Sequence, residues 1–252
     1  MKPDVGNVTT PPLKSWSKIP TPAANLVQMQ WDLENSVQSH IRNEQYWNDK
    51  GHTPIPTTLF ESHSNIWLEI GAGTGGYFLE LAKTNPKSHF VAIERCRIRA
   101  RRMVHKFEKS ELPNLQGFRG NAVPALITGI PSESVERIYI LYPCPWPKNA
   151  HRKNRWYLHV VMPHLVRILK PQGTLIWASD QEFYIREATF VSESKHSLKT
   201  LISGQLTPNS FNHLASFPEG RTSFEKKFLT SNQPCFELVS QKSEFPIQNT
   251  LS

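Results

Sequence analysis

Between residues 65 and 180 short apolar runs alternate with amphipathic stretches. Ile66-Trp-Leu-Glu-Ile70 reads as a strand that ends in glycines, and Tyr77-Phe-Leu-Glu-Leu-Ala82 follows at helical spacing. His89-Phe-Val-Ala-Ile93 predicts a second strand, 95–109 a basic helix, and Leu115–Phe118 a third strand-like run. Val135–Tyr142 has the continuous apolar character of a buried strand. Leu158, Val161, Met162, Leu165, Ile168 and Leu169 then share one helical face, with Pro163 kinking or restarting that helix. Gly173–Ala178 closes the series as another strand. This alternation predicts βαβ units, an α/β fold with a mostly parallel central sheet and helices on both faces. After residue 196 comes a polar segment. Ser223–Leu229 and Cys235–Val239 read as two extended runs that form a C-terminal antiparallel hairpin.

The ends have a different texture. Prolines at 3, 11, 12, 20, 22, 54 and 56 interrupt residues 1–62, where one helix is expected from Trp31 to Arg42. Trp16, Trp31, Tyr46 and Trp47 suggest an arm that packs on something. The expected division is a partly irregular N-terminal extension over 1–62, one domain over 63–245 and a tail over 246–252. No internal repeat is visible.

Composition narrows the function classes. The chain has 252 residues, and 29 Lys and Arg against 21 Asp and Glu give a net charge of +8. No apolar run approaches the roughly 20 residues that span a bilayer, and the N-terminus lacks a signal-peptide core. No membrane association is expected. Cys96, Cys144 and Cys235 are too few and too scattered for a disulfide framework or a four-ligand zinc site, and His151 has no companion at metal-ligand spacing. The expected setting is the reducing cytoplasm, without a metal. Within 95–109, Arg95, Arg99, Arg102 and Lys106 make one stripe while Ala100, Met103, Val104 and Phe107 make another. The apolar stripe should face the sheet and the basic one a nucleic acid.

The chemistry concentrates at strand ends, where open parallel sheets bind their ligands. The first strand runs into Glu69-Ile-Gly71-Ala-Gly73-Thr-Gly75-Gly76 and then a helix. Glycines there allow a sharp turn and bring backbone N–H groups close to a ligand. Gly76 would also satisfy the dinucleotide fingerprint, so the glycines alone leave both cofactors open. Glu94 ends the second strand, where an acid accepts hydrogen bonds from a ribose diol, and Gly120-Asn121-Ala122 follows the third. Together these features resemble the class I S-adenosylmethionine (SAM) methyltransferases, a Rossmann-like fold. The resemblance implies SAM as cofactor, bound by Glu69, Gly71, Gly73, Gly75, Glu94, Asn121 and Ala122. A second glycine-rich phosphate site is lacking, which suits SAM better than NAD.

After the fourth strand comes Tyr142-Pro-Cys144-Pro-Trp146-Pro-Lys148-Asn-Ala-His151-Arg152-Lys153-Asn-Arg155. It resembles the Pro-Asp-Pro-Trp-x-Lys-x-x-His-x-Lys-x-Arg signature of the bacterial tRNA (guanine-N7-)-methyltransferases, which methylate the variable-loop guanine. Similarity runs from about 65 to 242. It includes Ala178-Ser179-Asp180, similar to the family's Ala-Thr-Asp, and Thr222-Ser-Phe224-Glu225, similar to its Thr-x-Tyr-Glu. The resemblance implies a tRNA partner and an active centre at Cys144, Asp180 and Glu225. Substrate would be held by Lys148, His151, Arg152, Lys153, Arg155, Asp180, Thr222 and Glu225. Gln181, Asn149 and Ala150 depart from the pattern.

Cys144 departs most, because it stands where the family has its loop aspartate. A thiol is mostly uncharged at neutral pH, with an unperturbed pKa of about 8.5, and accepts hydrogen bonds poorly. Guanine N7 is already nucleophilic, so placing it in line with the sulfonium methyl supplies most of the catalysis. Asp180 and Glu225 would still grip the base and disperse its developing charge. Two alternatives stand beside N7 transfer. One is an impaired paralogue that binds SAM or tRNA; the other is an RNA cytosine-C5 methyltransferase that uses Cys144 as its nucleophile.

Overall fold

The computed structural model describes residues 53–206, 217 and 219–244. The expected helix at 31–42, the aromatic arm and the tail lie outside them. Seven strands form one sheet in the order β3-β2-β1-β4-β5-β7-β6. They are β1 (Ile66–Ile70), β2 (His89–Glu94), β3 (Leu115–Arg119), β4 (Val135–Leu141), β5 (Leu169–Ser179), β6 (Leu198–Gln205) and β7 (Phe236–Lys242). Strands β1 to β5 pair in parallel, and β7 runs antiparallel to both β5 and β6. All residues of β1 and β2 are buried, which is why they read as unbroken apolar runs.

Alternation along the strands builds two cores. Trp67, Phe90, Ala92, Tyr139 and Leu141 face one layer, formed by α2 (Gly76–Thr84) and α3 (Arg97–Ser110), which contribute Tyr77, Phe78, Met103 and Phe107. Leu68, Val91, Ile138 and Trp177 face the other, with Leu59 and Phe60 of α1 (Thr58–Ser62) and Leu165 of α4 (Met162–Ile168). Tyr184, Ile185 and Ala188 of α5 (Glu182–His196) complete that layer. Residues 53–62, expected to belong to the extension, thus join the domain: Thr53 also donates its N–H to Arg119 O at 2.7 Å. The predicted start at Pro163 is observed in the first turn of α4. Among the described residues, no helix is long and apolar enough to cross a membrane.

The C-terminal pairing is antiparallel, but one of its strands lies elsewhere than expected. Ser223–Thr230 is a helix, α6, and the partner of β7 is β6. The reason is local. Thr222 caps α6, its Oγ1 accepting the Glu225 N–H at 3.0 Å, and Phe224 and Phe228 stack at helical spacing with centroids 4.7 Å apart. Strand β6 lies at the sheet edge and shields alternate residues only, so its apolar signal is weak.

Candidate active site

Strand order reverses between β1 and β4, and the crevice opens at their C-terminal ends. There the chain turns through Gly71, Gly73 and Gly75, with φ of 81°, 61° and 72°. A Cβ on Gly71 or Gly73 would meet nothing, so the inner side of the turn is open. At Gly75 a Cβ would lie 2.5 Å from Phe107 Cε1, so glycine lets the turn seat on α3.

Glu94, at the end of β2, is buried beside this turn. Its Oε2 accepts the Gly73 N–H at 2.9 Å; its Oε1 accepts the Cys96 N–H at 2.7 Å and Arg99 Nη2 at 3.1 Å. Beyond β3, Asn121 Oδ1 accepts the Val123 N–H at 3.3 Å and shapes the helical turn Ala122–Pro124. Gly71, Glu94, Asn121 and Ala122 line one cavity of about 480 Å³. Tyr142, Pro143, Cys144 and Trp146 form another part of its wall. Four of the seven expected cofactor residues therefore share a cavity with the Cys144 loop, while Glu69, Gly73 and Gly75 lie off its lining.

Glu69 lies deeper, 3% exposed, and its Oε2 has no hydrogen-bond partner among the described residues. Burial, partly offset by Arg221 and reinforced by Glu94, pushes its carboxyl up to about 8. A buried carboxyl without a partner for Oε2, two residues before the glycine turn, suits a cationic ligand.

The loop has left-handed residues at Tyr142 (φ 53°) and Trp146 (φ 45°). Such positions cost about 1–3 kcal/mol each and persist only where the surroundings hold them. Both are held. Tyr142 continues the β4 ladder through its N–H to Ala178 O at 2.8 Å, and its hydroxyl donates to Glu225 Oε1 at 2.6 Å. Trp146 O accepts from Arg155 at 2.9 and 3.1 Å.

The remaining expected residues divide into two groups. Lys148, His151, Arg152 and Lys153 are exposed around the turn Asn149–Asn154, available to phosphate. Arg155 departs from its expected role: it is 2% exposed and ion-paired to Glu187 at 2.6 Å, so it faces the loop instead of solvent. Glu225 is also fully buried, sitting behind Tyr142 and off the cavity wall. Arg221 grips it through Nη2 at 2.5 Å and the backbone N–H at 2.7 Å, and also bonds Glu237. Burial would raise the Glu225 carboxyl, but Arg221 outweighs it and holds the group below its usual range. Thr222 is the cap of α6, and Asp180, half-buried just past β5, accepts from Gln181 Nε2 at 2.6 Å. Sequence reasoning missed Tyr142, Arg221, Glu187 and Glu237. Tyr142, Glu187 and Glu237 meet partners 83, 32 and 16 residues away, so no local pattern marks them, whereas Arg221 stands four residues before Glu225, a spacing at which an ion pair could have been sought.

A family model described as a methyltransferase matches residues 63–238. The tRNA (guanine-N(7)-)-methyltransferase of Alkalilimnicola ehrlichii is 31% identical over 183 residues, covering 71% of this chain and 73% of that protein. The chain belongs to the tRNA (guanine-N7-)-methyltransferase family. A member from Francisella tularensis subsp. novicida is 28% identical over 188 residues, covering 74% of this chain and 78% of its own length. The Thermotoga maritima member is 29% identical over 184 residues, and there the match spans 73% of this chain but only 56% of the relative. Among solved structures, a 16S rRNA (adenine(1408)-N(1))-methyltransferase from Catenulisporales acidiphilia, crystallised with SAM, is similar at TM-score 0.52 and 15% identity. That match covers 77% of this chain and 96% of the other. The 16S rRNA methyltransferase KamB is similar at TM-score 0.50 and 15% identity, over 74% and 91%. Both show a shared fold. The thiol of Cys144 is exposed on the cavity wall.

Proposed function

We propose that this protein transfers a methyl group from SAM to N7 of a guanine in tRNA, with the variable-loop guanine as target. The observation that carries the reading is the shared cavity: Gly71, Glu94 and Asn121 on one side, Cys144 and Trp146 on another. Glu94 would hold the ribose of SAM, Asn121 and Ala122 its adenine, and the glycine turn its amino-acid end. Bound there, SAM supplies an electrophilic methyl. The protein's own part is placement. N7 needs no deprotonation, so orienting the base and excluding water provide the rate. The exposed Lys148, Arg152 and Lys153, with the arginines of α3, offer a positive surface to the phosphates.

Cys144 favours one second reading, a relative that binds SAM or tRNA without efficient transfer. A loop carboxylate would disperse the positive charge that develops on guanine; a neutral thiol does so poorly. The test is transfer to unmodified tRNA followed by nucleoside analysis. Release of 7-methylguanosine supports the proposal. No product with retained SAM binding supports the second reading, and 5-methylcytidine would move the chemistry to the Cys144 thiolate.

A further inference from the structure

The loop that carries Cys144 can change shape at few places. Pro143, Pro145 and Pro147 each fix their own φ, and the two left-handed residues, Tyr142 and Trp146, make its bends. The first bend is tied to Glu225 through the Tyr142 hydroxyl. The second is tied to Arg155. Its Nε and Nη2 both donate to Trp146 O, and Nη2 also reaches Pro147 O at 3.3 Å. From the far side Nη1 donates to Glu187 Oε2 at 2.6 Å, and the same oxygen accepts from Tyr157 Oη at 3.0 Å. The guanidinium also lies 5.0 Å from the ring centroid of Phe183, which shares α5 with Glu187.

This geometry does not suit a phosphate contact. The guanidinium is buried, engaged on three edges and already neutralised by Glu187. It does suit a brace between α5 and the loop, since only a planar fork reaches Trp146 O, Pro147 O and a carboxylate at once. We infer that Arg155 and Glu187 are positioning residues for methyl transfer: they hold the Trp146 bend and so fix where Cys144 stands on the cavity wall. The inference rests on the proposed function for its kinetic consequence but not for its structural one.

The test uses the full chain with Arg155→Lys, Glu187→Gln and Glu187→Ala, at a temperature where circular dichroism shows each variant folded. Three quantities are read: kcat on tRNA, the tRNA Kd with its salt dependence, and the rate of Cys144 alkylation by iodoacetamide, mapped by peptide mass spectrometry. Arg155→Lys and Glu187→Ala should lower kcat about 10- to 100-fold, the scale expected when a reacting partner is displaced by an ångström. In Arg155→Lys, which leaves the contact of Glu187 with Arg152 in place, the tRNA Kd and its salt slope should stay unchanged. Cys144 alkylation should rise several-fold in Arg155→Lys and Glu187→Ala, and Glu187→Gln should fall between wild type and Glu187→Ala. Arg155→Gln, which removes the charge, reads the phosphate alternative: a weaker Kd with a salt slope shallower by about 1 would make Arg155 a phosphate contact and overturn the inference. Folded variants with unchanged kcat and unchanged alkylation would overturn it too, leaving the pair a purely structural one. Should the wild type methylate no RNA, the functional reading fails by itself, and the alkylation rates still decide the brace.

Discussion

The hydroxyl of Tyr142 donates a 2.6 Å hydrogen bond to Oε1 of Glu225, 83 residues further along the chain. Through it the end of β4 is joined to α6 and to the buried Arg221, which neutralises Glu225 and also bonds Glu237. Glu225 therefore supports the wall of the cavity from behind. The two partners should differ in cost. Tyr142→Phe removes one hydrogen bond to a charged group, about 1.5–3 kcal/mol. Glu225→Gln weakens several charge-assisted bonds from Arg221 at once, so it should cost more, although Glu237 still neutralises Arg221. Urea titrations measure both. The pH dependence has a fixed sign: because the folded-state carboxyl lies below its usual 4.5, this stabilisation is present above that value and is lost as pH falls below it.

Glu69 gives a prediction about ligand uptake. Its carboxyl, held near 8 mainly by burial, is largely protonated at neutral pH. A ligand bearing a sulfonium and an ammonium would favour the ionised form, so SAM binding at pH 7 should release a proton. Calorimetry in phosphate and in Tris reads this as a difference in apparent enthalpy that disappears in Glu69→Gln. Equal enthalpies in the two buffers would contradict it.

At the opposite end of the strands, His89 is buried with its Nε2 unpartnered among the described residues, and its ring centroid lies 3.8 Å from that of His63. Burial, then the neighbouring His63, lowers its pKa from 6.5 to about 4. Between those values the unfolded chain binds the extra proton, so stability should fall as pH drops from 6.5 to 4. The slope is at most about 1.4 kcal/mol per pH unit from this group. His89→Phe should flatten that fall in urea midpoints measured across the window; an unchanged fall would assign it to other groups.

Cys144 is the position where substitution should raise activity. A carboxylate in its place would face the cavity and disperse the charge on the methylated base. Cys144→Asp is expected to increase kcat by at least about tenfold, short of the roughly 100- to 1,000-fold of one fully preorganised electrostatic group. Loss of 7-methylguanosine formation in this variant would instead make the thiol a working part of the site.

How far the sequence revealed these features follows from where each is determined. Strands β1, β2 and β4 announce themselves because burial on both faces leaves long apolar runs, and Glu94 and Asn121 are legible because a parallel sheet presents its strand ends to ligand. Helix α6 was legible only through its Thr222-x-x-Glu225 cap, which the apolar Phe224 and Phe228 disguised as an extended run. Arg155 is indistinguishable in sequence from the exposed Arg152 and Lys153. Its burial is decided by Glu187, 32 residues away on α5. Glu225 matched a motif, and Arg221 stands four residues before it, but Tyr142 lies 83 residues away, where no spacing rule connects the two.

The most direct measurement is a crystal structure of the protein with S-adenosylhomocysteine. The account predicts the ligand in the cavity lined by Gly71, Glu94 and Asn121, its ribose hydroxyls on Glu94 and its sulfur turned toward Cys144. Ligand bound elsewhere, or a Cys144 loop directed away from the sulfur, would contradict it.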